Sequence, residues 1–334
     1  MLEQNPQARP ALPKHFAVAG RLLCLDALDD WSARAAERHF RDWHLTPAAP
    51  ATPCPPDASI RIRRGPPPAV PRGLESFDIH EGGRCFTDGQ TYHLDLHGSR
   101  VVLEPRGVGD VEVWVSERLE DSSPALAQTV FSAFSGAMRR CGLFELHSAA
   151  VVEPQSRRGA LIAGESGSGK TTLTLQLAAS GWGYLSDDVL LLSEAGGRAE
   201  ARPLRRVFAA TGATTAAVGL PDARPRPADS KLRFAPEAFF PGGFVESCAP
   251  SALFFPAVTG EAETRVSEVS RPEAMVRLLR MCPWAAYDRP TSAEYLRALS
   301  LVARQCRAYE LRAGTDLLAD PARAASLLAA YVGR

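Results

Sequence analysis

Lysine is nearly absent from this 334-residue chain: 3 of its 38 basic residues are lysine, leaving 35 arginines. Net charge is absent too, with 38 acidic residues against those 38. That balance excludes the broad basic field that draws a protein onto nucleic acid or an anionic membrane. No run approaches the roughly 20 apolar residues that cross a bilayer. The opening stretch MLEQNPQARPALPKH has no apolar core of the kind a secretory signal carries. The 7 cysteines form no CxxC pair, and their odd, scattered set excludes a disulfide framework and a zinc site. Reduced, buried thiols in a cytoplasmic protein are expected instead. With 45% apolar and 23% charged residues, wholesale disorder and fibrous folds are excluded as well. Where arginine has replaced most lysines, the survivors are candidates for places that need a compact ammonium, Lys14 in the expected tail excepted. The survivors are Lys14, Lys170 and Lys231.

The length suggests two domains. Residues 1–15 read as a loose tail, and 16–25 as a strand. A helix is expected over 31–43, capped by Asp29 or Asp30. Residues 46–73 are dense in proline, with Pro66–Pro68 in a row, and predict a loop or semi-rigid connector framing a strand at 60–64. Alternating segments separated by glycine turns follow to residue 118. Together, 16–118 predict a small antiparallel sheet with one helix. Ser123 and Pro124 open a further helix whose apolar stripe is Leu126, Val130, Phe134 and Met138, with Gly142 as its stop. The texture then changes. Segments 143–152 and 158–164 are nearly continuous apolar runs, as in strands buried on both faces of an α/β core. A helix at 170–180, a strand at 184–193, a loop at 221–230 and strand material at 244–258 follow. Helices close the chain at 272–281, 291–307 and 320–331. The domain expectation is a β-rich N-terminal domain over 1–120 and an α/β catalytic domain over 121–334.

The strongest motif is Gly164-Glu165-Ser166-Gly167-Ser168-Gly169-Lys170-Thr171, followed by Thr172. It fits G-x-x-x-x-G-K-[ST], with the apolar strand ALIA before it and the helix TLTLQLA after it. The glycines let successive backbone N–H groups converge on anionic oxygens, and the helix N-terminus adds its positive dipole. Lys170 suits the β- and γ-phosphates of a nucleotide, and the Thr171 hydroxyl suits Mg²⁺. Asp187 and Asp188 lie on the next strand. Carboxylates there hold a metal or take a proton from a nucleophile. As adjacent strand residues they point to opposite faces and take different roles.

The block HSAAVV…GALIAGESGSGKTTLTLQLAASGWGYLSDDVLLL resembles the catalytic domain of bacterial HPr kinase/phosphorylase. It is similar also to the wider group of HPr kinase-like proteins encoded apart from the sugar phosphotransferase system, some of them peptide-tailoring kinases. The resemblance is tight over about 141–193, loose to about 330, and does not reach 1–120. It implies an α/β P-loop catalytic domain of the HPr kinase and phosphoenolpyruvate carboxykinase type, preceded by a smaller β-rich α+β domain. It further implies ATP and Mg²⁺ as cofactors and transfer of the γ-phosphate to a Ser/Thr hydroxyl of a protein or peptide. On that resemblance Gly164 to Thr172 hold the triphosphate with Lys170 on its end, and Thr171 holds the metal. Asp188 is the general base, Asp187 supports the metal or orients the site, and His147 sits beside the loop. The family's downstream metal-ligating glutamate signature has no counterpart; Glu194 and Glu200 are misplaced for it. Kinase activity without the reverse phosphorolysis is therefore expected. The resemblance also implies a homo-oligomer.

Arg202, Arg205 and Arg206 cluster after the aspartate strand, and arginine forks suit phosphate or a charged substrate. Lys231, with Arg233, offers a second cation to the γ-phosphate or the acceptor. Arg289 is a further candidate of the same kind. His93 and His97 share a strand face without a carboxylate to complete a metal site. Neither nucleic acid nor a membrane is expected as a partner. Two other readings stay open: a small-molecule kinase with the same site, and a nucleotide-binding switch or assembly protein with little transfer activity.

Overall fold

Ser123 and Pro124 do open a helix, Pro124–Arg140, with the Ser123 hydroxyl accepting from the Leu126 N–H at 3.2 Å. It ends as the sequence predicts. Gly142 takes a positive φ of 76°, and the Leu143 and Gly142 amides close on the carbonyls of Met138 and Arg139. The computed structural model describes residues 14–48, 55–79, 82–105, 110–220 and 231–333. Most of the expected tail, part of the proline-dense connector and the 221–230 loop lie outside the described residues. The whole is mixed α/β, with several sheets.

Two units are present. One comprises Met1–Leu143 together with Asp288–Ser292, the other Phe144–Tyr287 with Ala293–Arg334. The boundary expected at 120/121 therefore moves to 143/144. The reason is the helix Pro124–Arg140, whose stripe Leu126, Val130, Phe134 and Met138 is buried and packs on the first unit's sheet. Gly136 lets it approach closely: a Cβ there would stand 2.3 Å from a Leu103 methyl.

That sheet has 9 strands, ordered Thr46–Ala48, Lys14–Val18, Arg21–Ala27, Ala58–Arg64, Asp110–Val115, Ser99–Leu103, Tyr92–Leu96, Gly83–Thr87 and Glu75–Ile79. It is not purely antiparallel as expected. Arg21–Ala27 pairs parallel with Ala58–Arg64, which pairs parallel with Asp110–Val115. The return path after Arg21–Ala27 holds the helix Asp30–Phe40, capped by Asp29. The strand expected over 16–25 is a hairpin, broken by Ala19 and Gly20, both at positive φ. His97 lies in the turn beyond Tyr92–Leu96, with its ring against Gln128, and His93 is half-buried on that strand. Neither joins a metal-ligating group among the described residues.

Asp288 is fully buried in this first unit. Arg139 donates to it at 2.9 Å and Arg140 at 2.5 and 2.7 Å. Burial pushes the Asp288 carboxyl up, but the two guanidiniums outweigh it and hold it below the ordinary value. Because the folded value lies below the unfolded one, its stabilisation is complete above 3.8 and fades as acid protonates the folded carboxyl. Asp288→Ala leaves two buried cations without their anion and is expected to cost about 3–5 kcal/mol, read as a lower urea midpoint at pH 7. The difference from the parent should shrink on acidification. Arg289 belongs to the same segment and pairs with Glu75 at 2.8 Å.

The second unit is built on a 6-stranded sheet, ordered Gly183–Ser186, Ser148–Val152, Gly159–Ala163, Pro250–Val258, Arg307–Ala313 and Arg265–Val269. Gly159–Ala163, Pro250–Val258 and Arg307–Ala313 run parallel. Ser148–Val152 and Gly159–Ala163 are buried at every position, which explains their unbroken apolar texture. Helices Lys170–Ala179 and Pro321–Val332 contribute Leu173, Leu177, Ala324 and Leu328 to one core with Ile162, Phe254 and Leu311. A separate 3-stranded sheet joins Phe144–Leu146, Leu190–Ala195 and Arg198–Pro203. Two expected single strands are thus each split between sheets. Residues 143–152 break at His147, and 184–193 break at Asp187, Asp188 and Val189. Among the described residues, no helix is long and apolar enough to cross a membrane.

Candidate functional site

The two breaks place the chemistry. Ser148–Val152 pairs with Gly183–Ser186 in one sheet, and Phe144–Leu146 pairs with Leu190–Ala195 in the other. Both segments therefore change sheets side by side. A residue at such a switch is freed from the ladder and its side chain turns out of the pleat. His147 and the aspartate pair sit at these switches, next to the loop that follows Gly159–Ala163.

The loop holds left-handed backbone at Gly167 and Gly169, with φ of 85° and 99°. Gly164 is forced by space as well: a Cβ there would meet the Ser168 hydroxyl at 2.8 Å. The Ser168 hydroxyl is buried and has no hydrogen-bond partner among the described residues. Lys170 opens the helix and is 6% exposed. Its ammonium donates to the carbonyls of Gly164 at 2.6 Å and Glu165 at 2.9 Å, and to His147 Nε2 at 3.1 Å. Nε2 accepts there, so the proton of a neutral imidazole is on Nδ1. That nitrogen stands 3.1 Å from Asp188 Oδ1. Asp188 Oδ2 pairs with Arg205 at 3.2 Å. A continuous polar line thus runs Lys170–His147–Asp188–Arg205.

Burial lowers the His147 pKa, Asp188 acts against that, and Lys170, Arg205 and Lys231 add to it. The imidazole is therefore kept neutral near pH 7, consistent with the hydrogen-bond pattern. Burial likewise lowers the Lys170 pKa, opposed by Asp188.

Asp187 differs from its neighbour. It is 2% exposed, and its Oδ2 accepts from Thr171 Oγ1 at 3.0 Å and from the Ala209 N–H at 3.2 Å. Burial, then the Asp188 charge, pushes its carboxyl up to about 6. Among the described residues it forms no ion pair, and the Arg205 charge nearby only partly offsets the rise. Thr171 and Asp187 offer a hydroxyl and a carboxylate oxygen side by side, the hard-oxygen pair that Mg²⁺ accepts beside phosphate and water. Asp187→Asn keeps an acceptor for both donors and deletes the charge. It is expected to raise the melting temperature at pH 8 without added metal, by about 2–4 °C for each kcal/mol relieved, and to change it little at pH 4. A melting temperature at pH 8 below the parent's would show that the charge is already compensated.

These groups share a cavity of about 790 Å³. Ser166, Gly167, Gly169, Lys170, Thr171 and Thr172 line it from the loop side. His147, Asp187, Asp188, Arg205, Lys231 and Arg233 line it from other sides, with Thr211 and Thr214. The loop, the aspartate pair and the third lysine therefore meet in one place. Gly164 and Glu165 take part through their carbonyls. Arg202 does not reach it: on its strand it pairs with Glu200 two positions away, at 3.1 Å. Glu194 is likewise engaged elsewhere, by Arg297 at 2.7 Å. Among the described residues no group of three His, Cys, Asp or Glu is arranged to hold a metal.

Sequence reasoning missed the wall made by Ala209 to Ala217. Thr211 caps the short helix Gly212–Ala217, and Thr214 links it to the loop helix through the Thr172 hydroxyl at 2.8 Å. The signal was present: a threonine before a small-residue run is a helix start.

No family model matches the chain, and no curated protein matches it. Solved structures similar to it include the HPr(Ser) kinase/phosphatase of Coxiella burnetii, at 13% identity and a TM-score of 0.28, over 56% of this chain and 94% of that one. At that distance the likeness decides neither the fold nor the activity.

Proposed function

We propose that this cavity takes the triphosphate of ATP and that the chain is a kinase. It moves the terminal phosphoryl group to a hydroxyl, a Ser or Thr of a protein or peptide. The observation that carries this reading is the Lys170–His147–Asp188–Arg205 line, which puts a partly exposed carboxylate one imidazole away from the loop lysine. A volume of about 790 Å³ is in the range of small-ligand pockets. The orphaned Ser168 hydroxyl and the loop's convergent N–H groups suit phosphate oxygens.

In this reading Lys170 exchanges its loop carbonyls for phosphate oxygens. Asp188 accepts the proton of the attacking hydroxyl as the new P–O bond forms and the bond to the β-phosphate breaks, with ADP leaving. His147 and Arg205 hold the two carboxylate oxygens and so orient the base. Thr171 and Asp187 would hold Mg²⁺, which supplies neutralisation of the β,γ charge when bound. Lys231 and Arg233 face the same space and suit the γ-phosphate or an acceptor. Positioning and electrostatics carry most of the rate.

Incubation with γ-labelled ATP, Mg²⁺ and fractionated cell extract tests this. Acid-stable label on a protein or peptide is expected. Label confined to small metabolites would make it a small-molecule kinase. The absence of a third metal-holding acid among the described residues favours one other reading, a nucleotide-binding switch, for which label would appear only as free phosphate.

A further inference from the structure

A second cavity of the same unit, about 510 Å³ in volume, has no place in that reaction. It is lined by Arg157, Arg158, Arg198, Ser247, Ser251 and Cys248, among others. Three strands run between the two cavities. His147, which precedes Ser148–Val152, and Val258, which ends Pro250–Val258, border the first. Val152 and Ser251 border the second. Gly159–Ala163 runs the same way, from the second cavity towards the loop, and five residues at about 3.3 Å span about 16 Å. The cavities are separate sites at opposite ends of these strands.

The arginines are presented by built elements. The Glu153 carboxylate accepts from the backbone N–H groups of Gln155 and Ser156, and Glu153 and Arg158 close the turn backbone at 2.9 Å. Arg157 has a φ of 58°, the left-handed region that costs a non-glycine residue of order 1 kcal/mol or more. Arg158 donates to the Gly333 carbonyl at 3.0 Å, which fixes part of its fork. Arg198 follows Gly196 and Gly197, both at positive φ, in a hairpin turn. The Gln305 amide donates to the carbonyls of Ala199 at 2.9 Å and Pro250 at 3.0 Å. It thereby ties the arm that bears Arg198 to the strand that bears Ser251.

Elsewhere in this unit Arg205, Arg277, Arg297 and Arg312 carry carboxylate partners, while Arg265, Arg271, Arg280, Arg304 and Arg307 form no ion pair among the described residues but do not line this cavity. Arg157, Arg158 and Arg198 have none among the described residues, although the chain as a whole is neutral. Three guanidiniums around one concavity repel each other and attract an anion. Their planar forks match tetrahedral oxyanions, with the Ser247 hydroxyl beside them, while the Ser251 hydroxyl is turned to the Gly159 and Val332 carbonyls at 3.3 and 3.4 Å. Burial raises the Cys248 thiol to about 12, so it is no nucleophile at neutral pH. The Cys248 thiol therefore adds no reactive thiolate to the cavity. The cavity's concave form suits a small molecule.

We propose that this cavity is a second anion site, built for a small molecule carrying one or more phosphate groups and separate from the candidate nucleotide pocket. Inorganic pyrophosphate is the probe. Arginine labelling with phenylglyoxal, read by peptide mass spectrometry on the full chain, is expected to slow about tenfold at Arg157, Arg158 and Arg198. Arg280 and Arg304, which lie outside the cavity, should label as before. In calorimetry the Lys170→Ala protein should keep one pyrophosphate-binding event, and the further change Arg157→Ala with Arg198→Ala should remove it while the melting temperature shows the protein folded. Equal protection of every arginine means ionic screening alone and overturns the proposal. Citrate protecting as well as pyrophosphate overturns the phosphate preference. Polyglutamate protecting at lower concentration than pyrophosphate makes the cavity part of a protein-docking face and overturns the small-molecule class.

Discussion

Lys170→Ala is expected to lower phosphoryl transfer by about 10²–10³-fold or more, the scale of losing one preorganised charge stabiliser at a reacting centre. The ammonium is buried and directs its three donors at Gly164, Glu165 and His147. Lys170→Arg is expected to fail almost as badly. A guanidinium is planar and wider than an ammonium, and the slot beside the loop carbonyls holds a point donor. In a chain with 35 arginines to 3 lysines, that contrast tests whether ammonium shape matters here. The measurement is ADP release, with thermal melts to show that the variants fold. Full turnover by Lys170→Ala would remove the loop from the reaction.

Asp188→Asn is expected to keep ATP affinity within a few-fold and to lower transfer by about 10²–10⁴-fold, the usual share of a general base. The amide oxygen still accepts from His147 Nδ1, so the imidazole keeps its tautomer. The amide cannot take the acceptor's proton. Arg205 loses its ionic partner in the same variant, so Arg205→Ala belongs beside it. If the base itself matters, Asp188→Asn loses far more transfer than Arg205→Ala. Calorimetry with ATP and Mg²⁺ separates binding from chemistry. Near-parental transfer by Asp188→Asn would assign the proton to another group.

The loop and its flanks were legible because three local signals coincide: a doubly buried strand, glycines where φ turns positive, and a helix that starts at Lys170. The helix Pro124–Arg140 was legible from its caps and its apolar stripe together. The breaks at His147 and at Asp187 were not. An apolar run gives no sign of a change of sheet when both sheets bury their residues, as Phe144, Leu146, Ala149 and Val151 all are. Alternation likewise looks the same in parallel and antiparallel pairs, so the parallel pairing of Ala58–Arg64 had no signature. Arg202 was misplaced because strand alternation sets it beside Glu200, a partner that the basic cluster conceals. The excursion of Asp288–Ser292 into the first unit depends on a contact made about 150 residues away in the chain, beyond the reach of local reading.

That excursion has a practical consequence for dissecting the protein. A fragment beginning at Phe144 would keep Asp288 and discard Arg139 and Arg140, leaving a carboxylate suited to a dry setting with nothing to neutralise it. A fragment ending at Leu143 would strand the two guanidiniums in turn. Truncation at the visible seam therefore damages both pieces, and inserting a protease site there would yield a nicked chain better suited to study than either half expressed alone.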